Sequence, residues 1–197
     1  MRTVTSTVYT YDELSETAQA KARDWYRQCS ADDTFWSECC IEDIKQTCKM
    51  LGMEIKDFYW SGFWSQGDGA CFTGHYAYVA GSAAKVAAEW LQDAEIARIG
   101  RELRDLQRKG FYGLTAHLTH RGRGVHEQSV EISVYEDRTG NDAPDDVSEA
   151  LRDTLRDLMR WAYRRLESEY EYTNADEQVA ENIRCNEYEF NEEGERS

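Results

Sequence analysis

The chain has 197 residues, of which 38 are acidic and 23 basic, for a formal charge of −15. Affinity for phosphate backbones and for anionic membrane surfaces comes from Lys and Arg, so this excess of carboxylate argues against direct binding to either. A hydrophobic content of 41%, with six Trp and twelve Tyr, suits a folded core rather than a disordered chain, and the length fits one domain.

Residues 3–9 alternate Thr-Val-Thr-Ser-Thr-Val-Tyr, the pattern of a β-strand. Thr10 to Glu13 then has capping-box form. The helix it opens is expected to break near Ser15 and run to about Gln28, with Leu14, Ala18, Ala22, Trp25 and Tyr26 on one face. A second helix is expected from about Asp33, with Trp36, Cys40, Ile44, Cys48 and Leu51 as its apolar stripe. Gly52 stands where a helix-terminating glycine belongs. Strands follow at 54–63 and 70–79, then helices at 83–91 and 94–109, the latter ended by Gly110. Residues 111–120 and 125–136 are expected to pair across the glycines of Arg121-Gly122-Arg123-Gly124. Pro144 and the acids after it suit the first turn of a long helix over about 145–170. A short helix through Val179 and Ile183, capped by Thr173 or Asn174, and an edge strand at 188–190 complete the chain. Strands arriving as hairpins point to an α+β fold, an antiparallel sheet with helix pairs packed on it. Its expected extent is one domain over 1–191, with a charged, flexible tail at 192–197.

The six cysteines, at 29, 39, 40, 48, 71 and 185, read as free thiols. Cys40 and Cys48 lie on an apolar helix face, and the amino terminus lacks the apolar core of a secretory signal. No cysteine pair has zinc-knuckle spacing, so no metal and no cofactor is expected. Without a run of apolar residues long enough to span a bilayer, and with free thiols, the expected location is a reducing cytoplasm.

Three constellations can carry function. The first is Trp60 to Phe72, four large aromatics and three glycines in thirteen positions. It reads as two buried central strands joined by Gln66-Gly67-Asp68-Gly69. Its aromatic residues fill the core or anchor a partner at the tip, or Trp64, Gln66 and Asp68 form a ligand loop. The second is His117 and His126, which share a strand face if Gly122-Arg123 is a two-residue turn; His75 joins them only if the sheet brings it close. The third is charge. Residues 166–197 hold eleven acids and two bases, whereas 97–124 hold seven bases and two acids. A basic stripe, Arg152, Arg156, Arg160 and Arg164, follows at helical spacing. Acids interleaved with tyrosines at Glu167, Glu169, Tyr170, Glu171, Tyr172, Glu187, Tyr188 and Glu189 make a candidate face for a basic protein partner, steered in by the field. Cys71 follows the glycine turn but falls in an expected strand, away from the helix N-terminus that would activate a thiolate. No catalytic residue is assigned.

The block SGFWSQGDGACF at 61–72, with VYTYDELS at 8–15, ARDWYR at 22–27 and EYEF at 187–190, resembles a family of small phage and prophage proteins. Members are commonly labelled hypothetical, or loosely as the antitoxin of a toxin–antitoxin stability system. The resemblance implies an accessory gene of a mobile element, acting in a bacterial cell. The expected function is therefore non-enzymatic: binding and neutralising a protein partner, as an anti-CRISPR-like inhibitor of host defence that mimics nucleic acid. The alternatives are an antitoxin for one cognate toxin, or a small-molecule binder or hydrolase at Gln66–Gly69.

Overall fold

The capping box at Thr10 forms as its sequence dictates. The Glu13 carboxylate accepts from the Thr10 N–H at 2.8 Å and its hydroxyl at 2.9 Å, across a single 3-10 turn at Tyr11–Glu13. The chain then straightens, and Ser15 caps α1 (Glu16–Cys29) by accepting from the Ala18 N–H at 3.3 Å. These are the first elements of a computed structural model that describes residues 7–197. The strand expected over 3–9 falls largely on residues 1–6, outside the described residues. Of its remainder, Tyr9–Thr10 forms β1.

The described residues make an α+β fold with antiparallel sheets, organised in two compact units. The first unit comprises residues 7–38 with 168–197. β1 pairs antiparallel with β6 (Glu189–Phe190), Tyr9 opposite Phe190. α1 and α6 (Asp176–Cys185) enclose a core of Tyr11, Leu14, Ala18, Ala22, Val179, Ile183 and Phe190. Trp25, Tyr26 and Tyr188 pack against it, with Tyr188 meeting Trp25 edge-on at 5.2 Å between ring centroids. After β6 the chain closes on itself. The Asn191 side chain accepts from the N–H groups of Glu193 and Glu195, and the Ser197 N–H donates to the Glu189 carbonyl at 3.2 Å. Gly194 (φ +84°) passes so close to α1 that a Cβ there would lie 2.2 Å from the Ala18 carbonyl oxygen.

The second unit, 39–167, holds a four-stranded antiparallel sheet in the order β2-β3-β4-β5. Its strands are β2 (Met53–Trp60), β3 (Ala70–Ala77), β4 (Leu114–His120) and β5 (Val130–Glu136). Period-two alternation sends Leu114, Ala116 and Leu118 of β4 and Val130, Ile132 and Val134 of β5 to one buried face. That face packs on the apolar stripes of α4 (Ala94–Lys109) and α5 (Asp145–Asn174). Contacts with the sheet are specific: Arg152 of α5 donates to the Ile132 carbonyl at 2.9 Å, and Gln107 of α4 bonds Leu114. α2 (Phe35–Met50) and α3 (Ser82–Glu89) precede α4 in this half of the chain. Gly52 ends α2 with φ +92°, the left-handed conformation expected of it.

Two expectations need correction. β2 lies at the edge of the sheet, so the strand carrying Trp60 is only partly covered and not central. The 111–136 hairpin is not closed by a two-residue turn. Its connection runs from 121 to 129 and contains a 3-10 turn at Glu127–Ser129, capped by His126 Nδ1 accepting from the Gln128 N–H at 3.1 Å. Among the described residues no helix is long and apolar enough to cross a membrane.

Candidate functional site

The carboxyl-terminal charge falls mainly in the first unit. Segments 1–38 and 168–197 together carry seventeen acids and six bases, a formal charge of −11; residues 39–167 carry only −4. Within the first unit, Asp176 is bound by Arg23 at 3.1 Å and Arg27 at 2.5 Å, and these guanidiniums, Arg27 foremost, hold its carboxyl below the usual range. Arg184 spans Asp12 and Glu181. Arg196 donates to the Glu189 carbonyl at 2.6 Å, and its guanidinium lies 5.1 Å from the Tyr188 ring. Among the described residues, none of Glu169, Glu171, Glu177, Glu187 and Glu189 joins an ion pair. Glu171, Glu177, Glu187 and Glu189 are exposed, and Glu169 is half-buried.

The aromatic residues interleaved with these acids divide. Phe190 is fully buried, Tyr188 is half-buried on Trp25, and Tyr170 packs 5.6 Å from Trp36. Tyr172, 60% exposed, is the one that projects. Glu187 ends α6 with φ +52°, while the Tyr188 N–H returns to the Ile183 carbonyl at 3.3 Å, a helix stop that usually takes glycine. Glu167 belongs to the second unit.

Within the second unit, three of the seven bases of 97–124 join ion pairs. Arg98 binds Glu102 at 2.7 Å and Asp157 at 2.8 Å; Arg104 binds Asp105; Arg121 binds Glu131. The stripe on α5 is likewise taken up: Arg152 on the Ile132 carbonyl, Arg156 on Asp153, Arg160 on Glu127 and Asp157, and Arg164 on Glu95.

Between β2 and β3, residues 61–69 form a braced loop. Asp68 organises it from inside: one oxygen accepts from Ser61 Oγ at 2.8 Å, the other from the N–H groups of Trp64 at 2.9 Å and Ser65 at 2.6 Å. Those donors, the Ser65 amide first, hold its carboxyl below the ordinary aspartate value. Tyr163 of α5 donates its hydroxyl to the Gly62 carbonyl at 2.9 Å, and Phe63 packs 5.4 Å from the Tyr163 ring. Gln66 is exposed, and Trp64 is 81% exposed. Asp68 is thus spent on the loop's own shape.

The histidines meet differently from the arrangement first expected. Thr119 faces Glu131, and His126 falls in the connection before β5, not on a strand face shared with His117, because the longer connection shifts the register. His75 instead stands directly opposite His117 across β3 and β4, with ring centroids 4.6 Å apart. Glu54 of β2 faces His75 in turn, and a groove of about 720 Å³ opens on this side of the sheet, lined also by Asp57, Tyr59, Thr73 and His120. Tyr59 stacks on His120 at 4.6 Å. Among the described residues, His75 Nδ1 is buried without a hydrogen-bond partner. No signal in the local sequence joins His75 to His117; only the strand order does. Among the described residues, no three His, Cys, Asp or Glu side chains are placed to hold a metal ion. Cys71 is buried, and burial with the nearby Glu127 charge pushes its thiol up to about 11, the opposite of an activated nucleophile.

The chain belongs to the family described as a domain of unknown function (DUF8835), whose model matches residues 36–176. No curated protein and no solved structure matches it.

Proposed function

We propose that this member of the DUF8835 family is a non-enzymatic binding protein of the bacterial cytoplasm, which occupies a basic protein partner through the carboxylates of its first unit. The supporting observation is the formal charge of −11 over residues 1–38 and 168–197, with Glu169, Glu171, Glu187 and Glu189 outside every ion pair among the described residues. Exposed carboxylates of one sign raise the encounter rate with a cationic surface and discourage acidic partners. Proteins that handle nucleic acid carry such cationic surfaces, so the partner class is a nuclease or another nucleic-acid-handling assembly, and this face stands in for the phosphate backbone. With the phage-type resemblance, the role is an anti-CRISPR-like inhibitor of host defence. An antitoxin would use the same face on one cognate toxin, and a toxin gene beside this one distinguishes the two.

The test is capture from a bacterial lysate with the tagged chain, repeated after reversing Glu169, Glu171, Glu187 and Glu189 to Lys. The reading expects a nucleic-acid-handling protein retained by the wild type and lost by the reversed variant. Equal retention by both refutes it.

A second reading, small-molecule binding, rests on His75 Nδ1, which lies buried beside the sheet groove without a hydrogen-bond partner among the described residues and which a ligand would satisfy.

A further inference from the structure

The sheet of the second unit carries one row of polar side chains across all four of its strands. Glu54 of β2 stands opposite His75 of β3, His75 opposite His117 of β4, and His117 opposite Ser133 of β5. Residues opposite each other across a ladder project from the same face, here the one that alternates with the buried Leu114, Ala116 and Leu118. The groove of about 720 Å³ is lined by the first three members of this row.

The polar groups of the groove divide into those already committed and those left over. Thr73 donates its hydroxyl to the Asp57 carboxylate at 3.0 Å, and His120 Nε2 meets the Gly124 carbonyl at 2.6 Å. Left over are the Glu54 carboxylate and the Lys56 ammonium, both exposed and, among the described residues, in no ion pair. To these is added His75 Nδ1, buried and without a hydrogen-bond partner among the described residues. A buried nitrogen left so is costly, and a ligand that reaches it recovers the cost.

These groups select among ligand classes. An anion would meet two carboxylates, Glu54 and Asp57, against one ammonium, and a simple cation would leave Lys56 unanswered. A flat ring needs an open aromatic face, but the rings here are engaged with one another. Tyr59 stacks on His120 at 4.6 Å, His75 lies 4.6 Å from His117, and Tyr135 meets His117 edge-on at 6.1 Å. A molecule with one positive and one negative end answers both charges. Lys56 follows Glu54 by two residues, roughly 7 Å along the strand, a span that two flexible side chains close around an amino acid.

The geometry points to this groove as a binding site for a small zwitterion, a free α-amino acid, with its ammonium on Glu54 and its carboxylate shared by Lys56 and the His75 imidazole. The tautomer with the proton on Nδ1 donates to that carboxylate. This deepens the second reading above and rests on it, and it uses none of the acids of the first unit.

The probes are the standard L-amino acids and, for the tightest of them, its N-acetyl and carboxamide derivatives, each of which lacks one charge. Binding is read from the imidazole resonances of the protein by NMR, with His75 assigned by its absence in His75→Phe. At least one amino acid binds saturably and moves the His75 and His117 resonances, and each derivative binds about tenfold more weakly. Glu54→Gln and Lys56→Met, both at exposed positions, each weaken binding about fivefold. His75→Phe keeps its circular-dichroism spectrum and weakens binding about tenfold. If a derivative binds as tightly as its parent, or the Glu54 and Lys56 variants bind as the wild type does, the zwitterion is refuted and small-molecule binding stands. If the amino acid binds without moving these resonances, or His75→Phe retains full affinity, the groove is not the site and both ideas fall. Binding by no amino acid overturns the inference.

Discussion

Gln107 is the only fully buried amide side chain among the described residues, and its loss should be costly in a calculable way. Its Nε2 donates to the Leu114 carbonyl at 2.7 Å and its Oε1 accepts from the Leu114 N–H at 3.2 Å, so one side chain satisfies both main-chain groups where β4 begins. A longer bond, 3.4 Å, reaches the Tyr76 hydroxyl on β3. Gln107→Leu keeps the volume and removes every one of these bonds. Leu114 is 1% exposed, so water cannot replace them. Each orphaned buried group costs roughly 1–2 kcal/mol, for a total of about 3 kcal/mol. Over a chain of this length that lowers the melting temperature by roughly 6–12 °C. Urea unfolding followed by circular dichroism reads the free energy directly, with an unchanged slope expected. A loss below about 1 kcal/mol would mean that Leu114 finds other partners, and the account of how α4 fixes the start of β4 would be wrong.

Other outcomes follow from single sites. Glu187 holds φ +52° at the end of α6, so Glu187→Gly should stabilise the chain by about 0.5–1 kcal/mol in the same urea assay; a loss of stability would show that its side chain matters more than its backbone. Thiol titration of the native protein should find Cys29, Cys39 and Cys185 fast and Cys40, Cys48 and Cys71 protected, with all six reacting once it is unfolded. The Asp68 carboxyl is held below its ordinary value, so its contribution is present above the unfolded pKa and is lost as pH falls through the folded one. Acidification below about pH 4 should therefore loosen the 61–69 loop, seen as a shift of the Trp64 indole resonance, and Asp68→Asn should remove that pH dependence.

Much of the local structure was legible because its causes are local. The Thr10–Glu13 box, the Gly52 stop and the bounds of the 94–109 helix all follow from residues within a turn of each other. The α+β class followed from the order of strands and helices. Sheet position did not. Trp60 looked central because its neighbours are apolar, yet β2 is an edge strand, and nothing in period-two alternation distinguishes an edge from a centre. The turn at 121–124 misled for a related reason. Its glycines fit a tight hairpin, but the connection continues to a 3-10 turn whose cap is the His126 side chain, so the register moved. The His75–His117 pair depends on β3 lying beside β4, a relation between strands 42 residues apart at those positions. Among the site residues, the exposure of Trp64 and Gln66 suits the turn composition, whereas the burial of Phe190 and the packing of Tyr188 come from α1, which their own segment does not contain.

The account turns on charge in the first unit acting in recognition. The direct measurement is the dissociation constant of the captured complex across a range of salt concentrations, for the wild type and for the variant with Glu169, Glu171, Glu187 and Glu189 changed to Gln. Wild-type affinity should fall steeply as salt rises, and the variant should bind more weakly with a shallower slope. An affinity indifferent to salt, or a variant with the wild-type slope, would contradict the account.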